Sequence, residues 1–378
     1  KIFFCKKIFY PPKKAEILIL DEIYQFELCS MFKRKKVGLL KIRYEELNIF
    51  IIIKMLLSFK KINFFNYMTT YINYVYPKVV ITGNDYFIGF YKLKNFCPKI
   101  YFIAIQNGVR CKLFFEDFKK EKNINIDYAF TFNKTASRYY RKYVKCKTLE
   151  TGSFRNNYFV KKKRKKRKSI LFVSTGFPRD GGNMYHGDYI VCQKEDFYGS
   201  DAKALALLSK FCEEKNMIIE FVPKYLGDEG KMEYMYYKKF FKYNKIIFHN
   251  KPKISYITYK IADTCQLVFA TSSTFGFESL ARGNITAIFN NKSKITKNFY
   301  NFFWCYKNFN KKNGFFWSND LNYQELSRIL EDLLKRKNQK KYLNSLKKYK
   351  AIFLTYDKGN KQIFYKINKL VQNNRSSQ

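Results

Sequence analysis

The stretch QLVFATSSTFGFESLARG, Gln266 to Gly283, followed at once by the apolar run ITAIF, constrains this chain most strongly. It reads as a buried strand over Gln266–Ala270, a turn of small hydroxyl residues, a short helix closed by Gly283, and a second strand over Ile285–Phe289. A strand that hands a Ser/Thr loop to a helix N-terminus offers a phosphate free N–H groups and the positive end of a helix dipole. Glu278 falls five residues after Ser273 and four after Thr274, too far on for a capping box. Two readings stay open for it. It favours the dipole in the first turns, or it accepts hydrogen bonds from ribose hydroxyls of a nucleotide whose phosphate lies on Ser272, Ser273 and Thr274.

The rest of the chain repeats the same strand-then-helix grammar. In the first half, apolar runs occur at Ala15–Asp21, Lys78–Asp85, Lys99–Gly108 and Ile126–Phe132, with an apolar helix-like region at Glu45–Phe59. Continuous apolar strands flanked by helical patterns predict a parallel sheet covered on both faces. KKKRKKRK at Lys161–Lys168 is a self-repelling basic block, expected to be a solvated linker at 161–169. A second series then starts: SILFVSTGF, a helix at Ser200–Lys215, MIIEFVPK, a helix around Glu233–Lys242, KIIFH and the opening stretch. The expected fold is therefore α/β, with two Rossmann-like domains facing a cleft. The expected division is 1–160, a linker at 161–169, a nucleotide domain at 170–334 and a helical tail at 335–378 whose helices pack back across the boundary. A chain of 378 residues is long enough for two such cores.

A formal charge of +43 invites a nucleic-acid or membrane reading. The excess is mostly Lys, and it comes with abundant Ile, Asn, Phe and Tyr, as an AT-rich coding sequence would give. No specific nucleic-acid partner is expected. The charge would still steer anionic sugar nucleotides and allow peripheral contact with an anionic inner membrane face. Nine cysteines lack any C-x-x-C pair or zinc spacing, which suits a reducing cytoplasm and structural thiols. The apolar stretch Asn48–Leu57 is too short for a span and carries Lys54. The chain begins with Lys1 rather than Met, so a preceding stretch is expected.

Polar residues gather where strands end, the edge at which such folds bind ligands. Asp21 and Asp85 end strands of the first half, and Gln106, Asn107 and Gly108 follow another. In the second half Ser174 and Gly176 follow one strand and Lys224 another. Acids on one wall and phosphate-friendly groups on the other suit transfer from a nucleotide to an acceptor hydroxyl, with an Asp as general base. Asp85 is preferred over Asp21. Each residue also has a plainer role: an Asp after a strand caps helices or forms turns, and QNG makes a tight turn. His186 and His249 lack partners for a nucleophilic triad, and His249 reads as structural. No metal site and no cofactor are expected.

Taken together, ITGNDYFIGFYKL, IAIQNGVR, IDYAFTFNKTASRYY, ETGSFRNN and above all SSTFGFESLARG resemble bacterial surface carbohydrate biosynthesis proteins. These are similar to GT-B glycosyltransferases of capsule and lipopolysaccharide assembly, including Kdo transferases. The resemblance runs from about Ala15 to Leu334. It implies metal-independent, inverting transfer of a sugar from a nucleotide donor, CMP-linked donors included, to a surface polysaccharide or lipid-linked glycan. It assigns the nucleotide to Ser272, Ser273, Thr274 and Glu278 with Lys224, and the acceptor and base to the first domain. Lys224 stands where the pattern leads one to expect Arg, which weakens bidentate phosphate recognition. A hydrolysing sugar-nucleotide 2-epimerase of the same fold is the alternative, although such enzymes need more histidines than the two present. A non-catalytic basic RNA- or membrane-binding protein is a third reading and rests on charge alone.

Overall fold

The computed structural model describes residues 5–373 except 44, 111, 163, 187, 188, 244, 251–255, 272, 291, 293, 294, 296–312 and 350–354. The chain forms two compact units, Lys1–Tyr158 with Thr355–Gln378, and Phe159–Leu354. The first contains β1 (Lys6–Ile8), β2 (Ile17–Leu20), β3 (Val37–Leu40), β4 (Glu46–Asn48), β5 (Val79–Thr82), β6 (Tyr101–Ile105), β7 (Asn125–Thr131) and β8 (Lys145–Glu150). The second contains β9 (Arg167–Val173), β10 (Asn183–His186), β11 (Tyr189–Gln193), β12 (Ile218–Val222), β13 (Ile246–Phe248), β14 (Cys265–Ala270), β15 (Thr286–Phe289) and β16 (Trp317–Ser318).

In the first unit six strands pair in parallel in the order β3-β2-β5-β6-β7-β8. ILIL and VVIT are buried at every position because both faces of the sheet are covered. Leu18, Leu20 and Val80 pack with Ile51, Met55, Met68 and Ile72, from the helices Ile49–Leu57 and Phe64–Val75. Their neighbours Ile17, Ile19, Val79 and Ile81 point the other way, against Tyr24, Leu28 and Phe154. Each such side chain stabilises the unit by about 1.5–3 kcal/mol when fully buried.

That second face is completed by the end of the chain. Helix Lys361–Asn373 places Ile363, Ile367, Leu370 and Val371 in the same cluster, a stripe at helical spacing. The expected tail 335–378 is thus shared: its first part lies in the second unit and the part from Thr355 returns to the first. ETGSFRNN receives the returning segment. Gly152, at φ 76°, bridges to Tyr356, and a Cβ there would sit 1.6 Å from the Thr355 carbonyl oxygen, so only glycine fits. Asn157 Oδ1 accepts the Asp357 amide at 3.1 Å, and Asn360 Nδ2 donates to the Phe154 carbonyl at 2.8 Å.

The second unit has the order β13-β12-β9-β14-β15-β16, again parallel. Counted along the chain within this sheet, that is third, second, first, fourth, fifth, sixth, the order of a dinucleotide-binding fold. Phe221, Phe172, Phe269 and Phe289 stack across four neighbouring strands with centroids 5.7, 6.0 and 5.1 Å apart. Helix Thr274–Ala281 lies so close to β14 that a Cβ on Gly276 would meet the Ala270 Cβ at 2.7 Å. It ends in a Schellman motif: the Asn284 amide donates to the Ser279 carbonyl at 3.0 Å, the Gly283 amide donates to that of Leu280 at 2.9 Å, and Gly283 has φ 73°.

The basic block differs from a free linker at both ends. Lys161 Nζ donates to the carbonyls of Arg282 and Gly283 at 3.0 and 3.2 Å and to Asn284 Oδ1 at 2.9 Å, capping that helix end. Arg167 and Lys168 are already the first residues of β9. A helix end rich in orphan carbonyls attracts a cation, and the sheet takes up the backbone where the apolar run begins. Burial pushes the Cys265 thiol up to about 11, as expected of a thiol that packs as a small hydrophobe.

Candidate functional site

In each sheet the order in which the chain lays down its parallel strands reverses once, and polar residues sit at that point. In the first unit the reversal lies between β2 and β5, whose ends carry Asp21 and Asn84-Asp85. Asp21 has a left-handed backbone, φ 78°, uncommon for a residue with a side chain. Its carboxylate accepts Arg43 Nε at 3.0 Å and Nη2 at 3.2 Å, Asn84 Nδ2 at 2.8 Å and the Ile23 amide at 3.3 Å. Burial alone would pull the Arg43 guanidinium down, but its hydrogen bonds and charge contact with Asp21 hold it above the ordinary value.

Asp85 is fully buried and its carboxylate is engaged on every side. It accepts Arg110 Nε at 2.8 Å, the Tyr140 hydroxyl at 2.8 Å and the Asn107 amide at 3.2 Å, with a further ion pair to Arg110 Nη2. Tyr91 donates to its carbonyl at 2.7 Å. Burial, with the Asp85 charge behind it, raises the Tyr140 and Tyr91 hydroxyls well above the usual range. Both acids that the sequence offers as a base are thus paired with an arginine, Asp85 in the more enclosed setting. The ion-pair partner of Asp21 is a half-exposed Arg43 (52 %), whereas that of Asp85, Arg110, is 17 % exposed.

Gln106 and Asn107 belong to the same edge as braces. Gln106 Oε1 accepts the Phe132 amide at 2.8 Å and its Nε2 donates to the Gly108 carbonyl at 2.8 Å. Asn107 Oδ1 accepts the Tyr24 hydroxyl at 2.9 Å. The QNG turn thus ties β6 to β7 and to the residues after β2.

In the second unit the reversal lies between β9 and β14, which run in register with Phe172 beside Phe269. Ser174 Oγ accepts the Gly176 amide at 3.1 Å, and the carbonyl of Gly176, at φ 119°, accepts the buried Tyr237 hydroxyl at 2.8 Å. A Cβ on Gly176 would lie 3.3 Å from Lys224 Cδ, so the loop after β9 and the exposed Lys224 after β12 meet. Glu233 braces the loop after β12, accepting the Lys224 and Tyr225 amides at 3.1 and 3.0 Å. Burial raises its carboxyl despite those bonds. Across the switch point Ser273 Oγ caps the following helix by accepting the Phe275 amide at 3.2 Å, and Thr274 is the first helical residue. Ser272 lies outside the described residues. Glu278 is 8 % exposed and its Oε2 accepts the Tyr259 hydroxyl at 2.9 Å, so its carboxylate faces helix Ile257–Ala262.

One cluster escaped sequence reasoning. Lys292, wholly buried, donates to Asp201 Oδ2 at 2.7 Å and to Thr175 Oγ1 at 3.0 Å, with its ammonium 3.6 Å from the Phe197 ring centre. Burial lowers its pKa, opposed by the Asp201 charge. This pair stands directly behind the Ser174–Gly176 loop. A signal existed in helix Lys194–Glu214, where Asp201 occupies the stripe of Ala204, Leu205 and Leu208. Lys292 itself looks like any other lysine of a Lys-rich chain. Among the described residues no three acids, histidines or cysteines cluster as metal ligands, and no helix is long and apolar enough to cross a membrane.

Two parallel six-stranded units with loops at their switch points make the fold that of the GT-B enzymes. The wall teichoic acid polymerase TagF is similar at a TM-score of 0.56 and 14% identity, over 96% of this chain and 90% of TagF. A "putative UDP-N-acetylglucosamine 2-epimerase" from Listeria monocytogenes is similar at a TM-score of 0.55 and 13% identity, over 95% of this chain and 97% of that one. No curated protein sequence matches the chain. A family model described as "putative O-antigen biosynthesis protein" matches residues 103–371, the whole of the second unit and part of the first. The chain belongs to that O-antigen biosynthesis family.

Proposed function

We propose that the protein is a glycosyltransferase that moves a sugar from a nucleotide donor to a surface polysaccharide or lipid-linked glycan, by inversion and without a metal. The observation that carries this reading is the second unit's switch point in a chain of the O-antigen family. There a Ser-Thr-Gly loop and a Ser-capped helix N-terminus share one edge. Amides and hydroxyls of Ser174–Gly176, Ser273 and Thr274 would hold the phosphate, Lys224 would add charge, and Glu278 would take ribose hydroxyls beside Tyr259. An acceptor hydroxyl in the first unit would lose its proton to Asp21 as Arg43 moves aside. Its oxygen would bond to the anomeric carbon while the sugar–phosphate bond breaks with its electron pair to the nucleotide. A cytoplasmic location at the inner membrane face fits nucleotide-sugar supply, and CMP-linked donors stand among the candidates.

The 2-epimerase reading uses the same fold, and the Listeria chain is as similar as TagF. The family description favours glycan assembly. Thermal unfolding of the full chain with CMP, CDP, UDP and GDP and their sugars tests the donor site. One base should stabilise the protein, by about 2.7 kcal/mol at a hundredfold excess over Kd. No response to any of them would remove the proposed donor site and both enzymatic readings with it.

A further inference from the structure

The first unit carries an apolar surface that its own fold leaves uncovered. Helix Ile49–Leu57 buries Ile51 and Met55, yet a second stripe, Ile53, Leu56 and Leu57, is 50, 54 and 77 % exposed. Polar residues usually occupy that side of a surface helix. The stripe runs into a loop, 58–63, exposed at every position and carrying Phe59 and Ile62.

Phe59 is the second observation. The helix closes in a Schellman motif, with the Lys60 amide donating to the Met55 carbonyl at 3.0 Å and the Phe59 amide to that of Leu56 at 3.0 Å. The left-handed position of this motif ordinarily holds glycine. Here a phenylalanine holds it, at φ 50°, with its side chain fully exposed. The chain therefore bears a strained backbone to display an aromatic ring that touches nothing folding requires.

Charge indicates what covers it. Lys54, Lys60 and Lys61 flank the apolar residues, and no acid occurs between Glu46 and Asp85. Two copies face to face would oppose like charges, whereas an anionic bilayer accepts the apolar side chains among its acyl chains and the lysines at its headgroups. The helix is also anchored near the Asp21 edge: Lys41 pairs with Glu22 at 3.0 Å and with Glu46, at the start of β4, at 3.3 Å.

We propose that helix Ile49–Leu57 and the loop that follows form a docking surface for an anionic lipid bilayer, with Leu57 and Phe59 inserted. The docking does not depend on which reaction the protein performs. Flotation of the full chain with vesicles of phosphatidylcholine alone, or mixed with phosphatidylglycerol, tests it. The wild type should float with the anionic vesicles. Phe59→Gly and Leu57→Ser should each weaken that binding about tenfold, and Lys60→Gln or Lys61→Gln roughly fivefold on the anionic vesicles only. Phe59→Gly should at the same time unfold at a higher temperature than wild type, because glycine relieves the left-handed position; a structural role for Phe59 would lower it. Failure of the wild type to float, or undiminished flotation of both apolar variants, overturns the proposal. So does a dimer that Leu57→Ser dissolves in a protein that ignores vesicles, since the patch would then join two copies.

Discussion

Asp85→Asn separates a structural from a chemical role for the most enclosed acid of the first unit. The substitution removes the charge opposite Arg110 Nε and Nη2 and puts an amide NH2 where a carboxylate oxygen accepted hydrogen bonds. Arg110 is left 17 % exposed with its counter-ion gone. Breaking a buried pair from one side costs about 3–5 kcal/mol. At about 2–4 °C per kcal/mol for a unit of this size, the first unit should unfold roughly 6–20 °C earlier. Calorimetry of the full chain resolves the loss if the two units melt separately, and a saturating nucleotide would help to part them if it binds the proposed donor site of the second unit. Arg110→Met made together with Asp85→Asn should recover part of the loss, because the cation that lost its carboxylate is removed as well. An Asp85→Asn protein as stable as wild type but unable to transfer sugar would refute this reasoning and return the base to Asp85.

Three further outcomes follow from the second unit. Gly276→Ala sets a methyl 2.7 Å from the Ala270 Cβ and should destabilise by about 1–3 kcal/mol in thermal unfolding, with helix content unchanged by circular dichroism. Glu278→Ala should abolish nucleotide-dependent stabilisation while the protein stays folded, and Tyr259→Phe, which removes one hydrogen bond from the carboxylate, should weaken nucleotide binding only severalfold by calorimetric titration. Glu220 is buried, which would raise its carboxyl, but its hydrogen bond to His249 and the nearby Arg167 win and hold it below the ordinary 4.5. Its folded value is depressed, so its contribution is complete above that pH and is lost as pH falls through the folded value. The unfolding difference between wild type and Glu220→Gln should therefore shrink on acidification below 4.5; a difference that grows there would reverse the sign.

The central strands were legible because a strand covered on both faces shows a nearly continuous apolar run, as ILIL, VVI and LVFA do. The edge strands of the first unit were not. β3 is a short VGLL and β8 reads KCKTLE, with the polar content an edge tolerates. The last helix displayed its stripe plainly, and Lys361–Asn373 returned to the first unit, as expected of tail helices that pack back across the boundary. At the site, residues that end strands were visible one by one. Their partners were not, because Asp85 is held by Asn107, Arg110 and Tyr140, brought together only by the parallel crossovers. Lys161 shows the converse: a residue read as part of a solvated run is fixed by three acceptors at one helix end.

The central claim, sugar transfer, is tested most directly by following a label in the sugar of whichever nucleotide sugar stabilises the chain. Incubated with a lipid-linked glycan acceptor and no added divalent metal, the protein should move the label into the lipid-extractable product and release unlabelled nucleotide in equal amount. Asp21→Asn should stop that transfer while nucleotide binding persists. Label recovered instead as a free or epimerised sugar, with the acceptor unchanged, would contradict the account and identify the hydrolysing epimerase.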